Sequence, residues 1–352
     1  MQVSISGCLA EPAQPSHVPS ACFGKQAVGA SLSVRERPAL IFSGALLQLK
    51  RAAARLLALL LGCLPCVSVA NEAGTALSYT RLEPFQLRSA DAQRDYQVEI
   101  LRPQRAAPEQ GYPVLYLLDG KAALAALDER WLAELGAGNP PLLVFIGHAG
   151  ERSFNVPART VDYTPGRFDG QAMQAFNGVQ GGGAAQFLAL LEQQIKPQVA
   201  ALQPVDPRQQ AIWGHSFGGL FVLNTLFTQP ASFTRYIAAS PSLWWQSGLL
   251  LEIEQGFTGA AAQVLILRGS DEGLPGQTRP GVDPAVLAQR RQAMAAVGPD
   301  AARQMATRLA QSAALQVRYQ EFAGLAHGPM LAASLRPALR MAAGLPEESA
   351  HE

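Results

Sequence analysis

The chain is short of cysteine, of net charge and of long apolar runs, and each shortage excludes a class of protein. Only four cysteines occur in 352 residues, at positions 8, 22, 63 and 66. All precede residue 71, so the remainder has no thiol for a disulfide framework, a cysteine metal site or a redox pair. Cys63 and Cys66 lie within a leader-like stretch, where redox chemistry is not expected. Lys and Arg number 28 against 27 Asp and Glu, a net charge of +1. That leaves no electrostatic footprint for nucleic acid and no general attraction to an anionic membrane. Internal repeats and domain linkers are also absent. What remains is a chain with 48% hydrophobic residues, ample for one large core.

The N-terminal part reads differently from the rest. Leu49-Lys50-Arg51 to Arg55 is a basic segment, and the apolar run Leu56–Leu64 that follows is too short to span a bilayer comfortably. Ser68-Val69-Ala70 supplies small residues for cleavage, so residues 49–70 are expected to be an export signal, with a mature start near Asn71. Leu60-Leu61-Gly62-Cys63 also resembles a lipobox, which makes a lipid anchor on Cys63 the alternative. Residues 1–48 are rich in Pro, Ser and Ala and show no period. They are expected to be a non-structural extension, with translation starting near Leu47 or Leu49. Residues 71–352 are expected to form a single α/β domain.

Within that domain, short apolar runs alternate with helical patterns. Tyr79–Ser89 and Arg94–Arg102 read as two strands joined by a polar turn; in the second, Tyr96, Val98 and Ile100 alternate with polar residues, as in an antiparallel edge with one wet face. Pro113–Asp119, Leu142–Gly147 and Gln263–Leu267 are continuously apolar, as strands buried on both faces should be. Lys121–Leu135, Ala184–Leu202 and Leu220–Phe227 read as helices. The alternation predicts a mostly parallel sheet with helices on both faces. Residues 149–183 read as a long irregular insert, and a structureless loop of that length is usually functional. Residues 273–285 read as a second Gly/Pro-rich loop, followed by a helical segment to about Ser312.

The chemistry centres on Gly214-His215-Ser216-Phe217-Gly218-Gly219, a G-x-S-x-G-G pattern between a short strand and an apolar helix. Strand, sharp turn, helix is the context of a nucleophile elbow, with the serine hydroxyl exposed on strained backbone. Gly214, Gly218 and Gly219 are expected where side chains would collide with the neighbouring strand and helix. A serine hydroxyl needs a base within hydrogen-bond reach and a third group to orient that base. His327 follows the strand Gln316–Phe322 and precedes the last helix, the position of the base in an α/β-hydrolase fold. His215 is expected to be structural, pointing into the turn or the sheet, and His148 to line the site. The acid is expected after Gln263–Leu267, where Asp271 and Glu272 stand side by side and spacing does not separate them. If both are solvated, the enzyme works as a Ser-His dyad. Oxyanion donors are expected at the N–H of Phe217 and at Gly120 or Lys121.

Four segments, Tyr112–Gly120, Trp213–Val222, Ser240–Trp245 and Gly324–Met330, resemble the putative-esterase branch of the α/β-hydrolases, which includes esterase D-like enzymes and enterochelin esterases. His327-Gly328-Pro329-Met330, the Arg159–Pro165 loop and the leader look most like the periplasmic trilactone-siderophore esterases. The resemblance covers nearly all of residues 79–340. It implies a periplasmic serine esterase that cleaves the backbone of a catecholate siderophore, such as enterobactin or salmochelin, through an acyl-enzyme. It implies Ser216 as nucleophile and His327 as base. The acid is not always present in this subfamily; a Gly-x-x-Glu pattern favours Glu272 over Asp271. A ferric tris-catecholate is an anion with aromatic faces, so Arg152, Arg159, Tyr163, Trp244 and Trp245, all on expected rim loops, are candidate contacts. No metal or organic cofactor is implied for the protein, because hydrolysis needs only water; iron enters as part of the substrate. The same elbow serves an exported carboxylesterase or thioesterase for another small acyl substrate, or a related acyltransferase. A non-catalytic binding protein on the same scaffold would not need Ser216 and His327.

Overall fold

The computed structural model describes residues 77–150, 152–167, 173–273 and 284–346. All of them belong to one compact unit, Glu72–Glu352. The expected extension at 1–48, the expected export signal at 49–70 and its lipid-anchor alternative at Cys63 lie outside the described residues.

Among the described residues nine strands form one sheet: β1 (Tyr79–Arg81), β2 (Phe85–Arg88), β3 (Asp95–Pro103), β4 (Tyr112–Leu118), β5 (Leu142–His148), β6 (Val205–His215), β7 (Arg235–Ala239), β8 (Ala262–Gly269) and β9 (Leu315–Phe322). Their order is β1-β3-β5-β4-β6-β7-β8-β9, with β2 also paired to β3. Everything from β5 to β9 pairs in parallel. β3 joins it antiparallel, through Tyr96 opposite His148 and Ile100 opposite Val144. The single strand expected at Tyr79–Ser89 is instead two, β1 and β2. The break falls at Leu82-Glu83-Pro84, and Pro84 has no N–H to give the ladder.

Both faces of the sheet are covered, as the continuous apolar strands predict. On β4, Val114, Tyr116 and Leu118 enter one core, while Leu115 and Leu117 enter the other. The first core packs under α4 (Ala184–Leu190), α6 (Phe217–Thr228), α7 (Leu249–Glu254) and α9 (Ala301–Leu309). The second packs under α1 (Gly120–Ala125), α2 (Glu129–Glu134) and α11 (Leu335–Ala342). α6 is apolar on every side and buried from Phe217 to Phe227, which suits a helix at the centre of the molecule. Truncating Phe221, fully buried there, would cost about 3–5 kcal/mol.

Three helical readings need refinement. Lys121–Leu135 is two helices, because Asp128 takes extended backbone and caps α2 by accepting from Arg130 N. Ala184–Leu202 is helical throughout, but a wider π turn at Leu191–Ile195 separates α4 from α5 (Lys196–Leu202), and Pro197 follows it. The segment after residue 283 is two helices, α8 (Pro284–Val297) and α9, divided at Gly298-Pro299. The expected structureless insert at 149–183 carries a helix, α3 (Val156–Asp162), capped by the Asn155 side chain and started by Pro157. This helix matters for the site.

Candidate active site

Ser216 stands between the last residue of β6 and the first of α6, with φ 63° and ψ −115°. A non-glycine residue holds such a conformation only when its surroundings fix it. Here Ser216 N donates to Ala239 O on β7 at 2.9 Å, and its own carbonyl accepts from Leu220 N at 3.0 Å and Ser242 N at 3.1 Å. Two of the three flanking glycines are required by close approach. A Cβ on Gly214 would lie 2.4 Å from the Gly218 backbone, and one on Gly219 would lie 2.9 Å from Ala239 O. Gly218 differs from expectation: a Cβ there would meet nothing nearer than Leu118 Cβ at 3.6 Å, so packing does not exclude a small side chain.

His327 lies on the loop between β9 and α10 (Met330–Ala333). Its Nε2 is 3.1 Å from Ser216 Oγ, and its Nδ1 is 3.1 Å from Glu272 Oε2. The imidazole N–H faces the carboxylate, which leaves Nε2 as acceptor for the serine hydroxyl. Glu272 follows β8 and is nearly buried, with Oε1 accepting from Ser240 Oγ and, at 2.9 Å, from Gly269 N. Burial opposes its charge, but the hydrogen bonds from His327, Ser240 and Gly269 and the proximity of the imidazole outweigh it, and its pKa is held below the ordinary glutamate value. The neighbouring Asp271 accepts from Ser270 Oγ at 2.8 Å. Of the pair that sequence left open, Glu272 is the one set against the His327 ring nitrogen. His215 is buried, its Nε2 donates to the His327 carbonyl at 2.9 Å, and the two rings lie 4.7 Å apart. It buttresses the loop that carries His327.

The turn after β4 faces the elbow. Asp119 adopts φ 51° and ψ 45° immediately before α1, so the N–H groups of Gly120 and Lys121 are first-turn donors with no intrahelical acceptor, as is that of Phe217 in α6. Arg159, on α3, ties the two turns together. Its Nε and Nη2 donate to Asp119 Oδ1 and Oδ2 at 3.0 and 2.8 Å, and Nη2 also reaches His215 O at 3.3 Å. Its guanidinium lies over the rings of Phe154, Tyr163 and Phe217. The Tyr163 hydroxyl accepts from Asp119 N at 3.3 Å; burial and the Asp119 charge push its pKa well above the usual phenol range.

These contacts correct the expected substrate residues. Arg159, Tyr163 and Trp245 are buried, not on the rim. Trp245 packs inward and its Nε1 donates to Pro165 O at 3.2 Å. Trp244 is only partly buried, and Arg152 is exposed. Trp244 forms one wall of a cleft of about 470 Å³ that opens beside His327 and Glu272. Arg268, Arg290, Arg291, Met294 and Val297 line the same cleft, with the Arg290 guanidinium 5.4 Å from the Trp244 ring centre. Trp244 in turn packs at a tilt against Phe217, at 5.6 Å between centroids. The sequence reading missed Arg290 and Arg291 because α8 had no motif to mark it, and Arg268 because it lies at the end of a strand read only as core.

It also missed Ser240 and Ser242. The signal was available: Ser240-Pro241-Ser242 directly follows β7, which neighbours β6 in a parallel sheet, and ligands and catalytic groups gather at the carboxyl ends of such strands. Ser240 (φ 46°) bonds Glu272, and Ser242 Oγ lies 3.2 Å from Ser216 Oγ.

His148 does not line the site. It ends β5, is buried, and bonds through Nε2 to Asp162 Oδ2 at 2.7 Å. Asp162 also accepts from Tyr96 OH at 2.8 Å and pairs with Arg94 Nε at 2.8 Å. Among the described residues no group of three or more His, Cys, Asp or Glu side chains could hold a metal ion, and no helix is long and apolar enough to cross a membrane.

Comparison with known proteins places the chain among esterases. The apo-salmochelin esterase of Escherichia coli O6:H1 is 31% identical over 265 residues, which cover 71% of this chain and 76% of that protein. The ferri-bacillibactin esterase BesA of Bacillus subtilis is 33% identical over 195 residues, 51% of this chain and just under two thirds, 65%, of that protein. Among solved structures, the enterobactin hydrolase IroE in complex with DFP superposes with a TM-score of 0.57 at 29% identity, over 76% of this chain and 96% of that one. The family model described as putative esterase matches residues 89–324, and the chain belongs to that family: it is a serine hydrolase of carboxylic esters on an α/β-hydrolase fold.

Proposed function

We propose that the protein hydrolyses the ester backbone of a catecholate trilactone siderophore of the enterobactin type, through an acyl-enzyme on Ser216. The observation that carries the catalytic reading is the continuous chain Ser216–His327–Glu272, with 3.1 Å at both links. Ser216 Oγ attacks the ester carbonyl while His327 Nε2 takes its proton, and Glu272 stabilises the imidazolium. The oxyanion is met by the N–H of Phe217 and that of Gly120 or Lys121. His327 returns the proton to the departing alcohol. Water, deprotonated by the same nitrogen, then cleaves the acyl-enzyme.

The substrate reading draws on two supports. The relatives are named for siderophore esters, and among the described residues the cleft beside His327 sets Arg268, Arg290 and Arg291 and the Trp244 ring against one carboxylate, that of Glu272. Guanidinium groups and an indole face suit an anionic ligand with aromatic rings. Mass-resolved turnover of enterobactin, with and without iron, tests the proposal. Linear trimer, dimer or monomer formed by the wild type and not by Ser216→Ala is the expected result. No turnover of either form, with activity retained on a p-nitrophenyl ester, would transfer the same catalytic groups to another small ester.

Export to the periplasm is proposed on residues 49–70. N-terminal sequencing of the fractionated protein should find a start near Asn71; an intact leader on the active protein would overturn it.

A further inference from the structure

Ser242 is buried, at 1% exposure, and its hydroxyl has one hydrogen-bond partner among the described residues: Ser216 Oγ, at 3.2 Å. Ser216 has a single hydroxyl proton, and the geometry at His327 Nε2 commits it there. The remaining proton between the two oxygens is that of Ser242, so Ser242 donates and Ser216 Oγ accepts. The backbone supports this contact from the same residue, because Ser242 N donates to Ser216 O at 3.1 Å. The tripeptide after β7 thus grips both ends of the relay, Ser240 on the acid and Ser242 on the nucleophile.

We infer that Ser242 is a further catalytic residue, a donor to Ser216 Oγ that acts chiefly when this oxygen leaves the acyl group. The inference rests on Ser216 being the nucleophile. In the acyl-enzyme, Oγ is an ester oxygen and a weak acceptor. Water adds to the acyl carbon and His327 Nε2 takes its proton. The tetrahedral adduct then collapses: the C–Oγ bond breaks, its electron pair stays on Oγ, and the proton on Nε2 moves to Oγ. Negative charge develops on Oγ during that step, and the Ser242 hydrogen bond strengthens as it does, with no net transfer of the Ser242 proton. In acylation the same donor occupies a lone pair of the attacking oxygen, so it gives no comparable help.

Ser242→Ala removes one atom from a buried site and leaves the backbone contacts available. With a p-nitrophenyl ester, its steady-state turnover should fall about tenfold, and a pre-steady-state burst of nitrophenol, the mark of accumulating acyl-enzyme, should appear or grow. Its rate of irreversible labelling by diisopropyl fluorophosphate, which reports attack by Ser216 alone, should stay within about threefold of wild type. A purely structural role would slow labelling and turnover in proportion. Proportional losses, or no change in either, would overturn the inference. Ser216→Ala is the control: if it still turns over ester, the nucleophile assignment fails and this inference falls with it. If it is inert while Ser242→Ala behaves as wild type, only the role of Ser242 is lost.

Discussion

Among the described residues the molecule holds two histidine–carboxylate pairs, and their surroundings give them different work. His327 and Glu272 meet at 3.1 Å at the ends of β9 and β8; His148 and Asp162 meet at 2.7 Å at the ends of β5 and α3. Asp162 is buried and Glu272 nearly so, and both are multiply bonded. The difference lies on the far side of each ring. His327 presents its second nitrogen to a serine hydroxyl held on strained backbone, whereas the His148 ring is packed against Tyr96 and Tyr163. Asp162, with Arg94, Tyr96 and His148 around it, pins the C-terminal end of α3. The same helix carries Arg159 to Asp119 and the elbow carbonyl. A histidine–carboxylate pair is therefore a positioning device in both places, and it becomes a candidate for acid–base chemistry only where a nucleophile and a cleft meet it.

The contrast can be broken most forcefully at the nucleophile. Ser216→Ala should lower ester turnover by at least about a thousandfold, with melting temperature little changed. Substantial residual activity would mean that the chemistry lies elsewhere. The two carboxylates come next. Glu272→Ala should reduce kcat by roughly a hundredfold to ten-thousandfold, and Asp271→Ala should stay near wild type; a large loss in the latter would reverse the assignment. Asp162→Ala should do the opposite of Glu272→Ala. It leaves Arg94 without its buried partner and should cost about 3–5 kcal/mol of stability, measured by denaturant unfolding, while the folded fraction keeps most of its turnover. If Asp162→Ala abolished turnover without loss of stability, the two pairs would not differ as described.

A smaller effect separates Glu272 by pH. Its folded pKa is held below the unfolded value, so its contribution to stability is complete above the ordinary glutamate range and is lost as pH falls through the depressed folded pKa. The stability gap between wild type and Glu272→Gln should be present at neutral pH and close on acidification. A gap that widened toward low pH would contradict the depressed pKa. The smallest expected effect concerns the cleft. Arg290→Ala with Arg291→Ala should raise KM for an anionic aromatic ester by about tenfold and leave a neutral p-nitrophenyl ester nearly unchanged. Equal effects on both substrates would remove the cleft from substrate recognition.

The legibility of the chain followed the range of the interactions. Continuous apolar runs at β4, β5 and β8 marked strands covered on both sides, because burial on both faces leaves no polar alternation. The elbow was legible because one tight turn makes its own demands: Gly214 and Gly219 cannot bear side chains beside Gly218 and Ala239. Arg159 and Tyr163 were placed on a rim because the sequence around them has no strong period. The short helix α3 turns them inward, and only the distant Asp119 explains a buried guanidinium there. Likewise, the segment of Ser240 and Ser242 carried a family resemblance in sequence, but their roles come only through partners 32 and 26 residues away.

By itself, then, the sequence determined the alternating α/β order, the serine on its strained turn and the histidine after the last strand, since these depend on local periodicity, local sterics and chain order. Spacing did not separate Asp271 from Glu272, which are adjacent in sequence, and resemblance only favoured Glu272; the tertiary structure is what sets one of them against the base. Glu272 turns one carboxylate oxygen to His327 and the other to Ser240 and Gly269, while Asp271 accepts from Ser270. It also decided which histidine pair adjoins the nucleophile. Both outcomes rest on hydrogen-bond geometry between strand ends brought side by side in the sheet, which linear spacing does not encode.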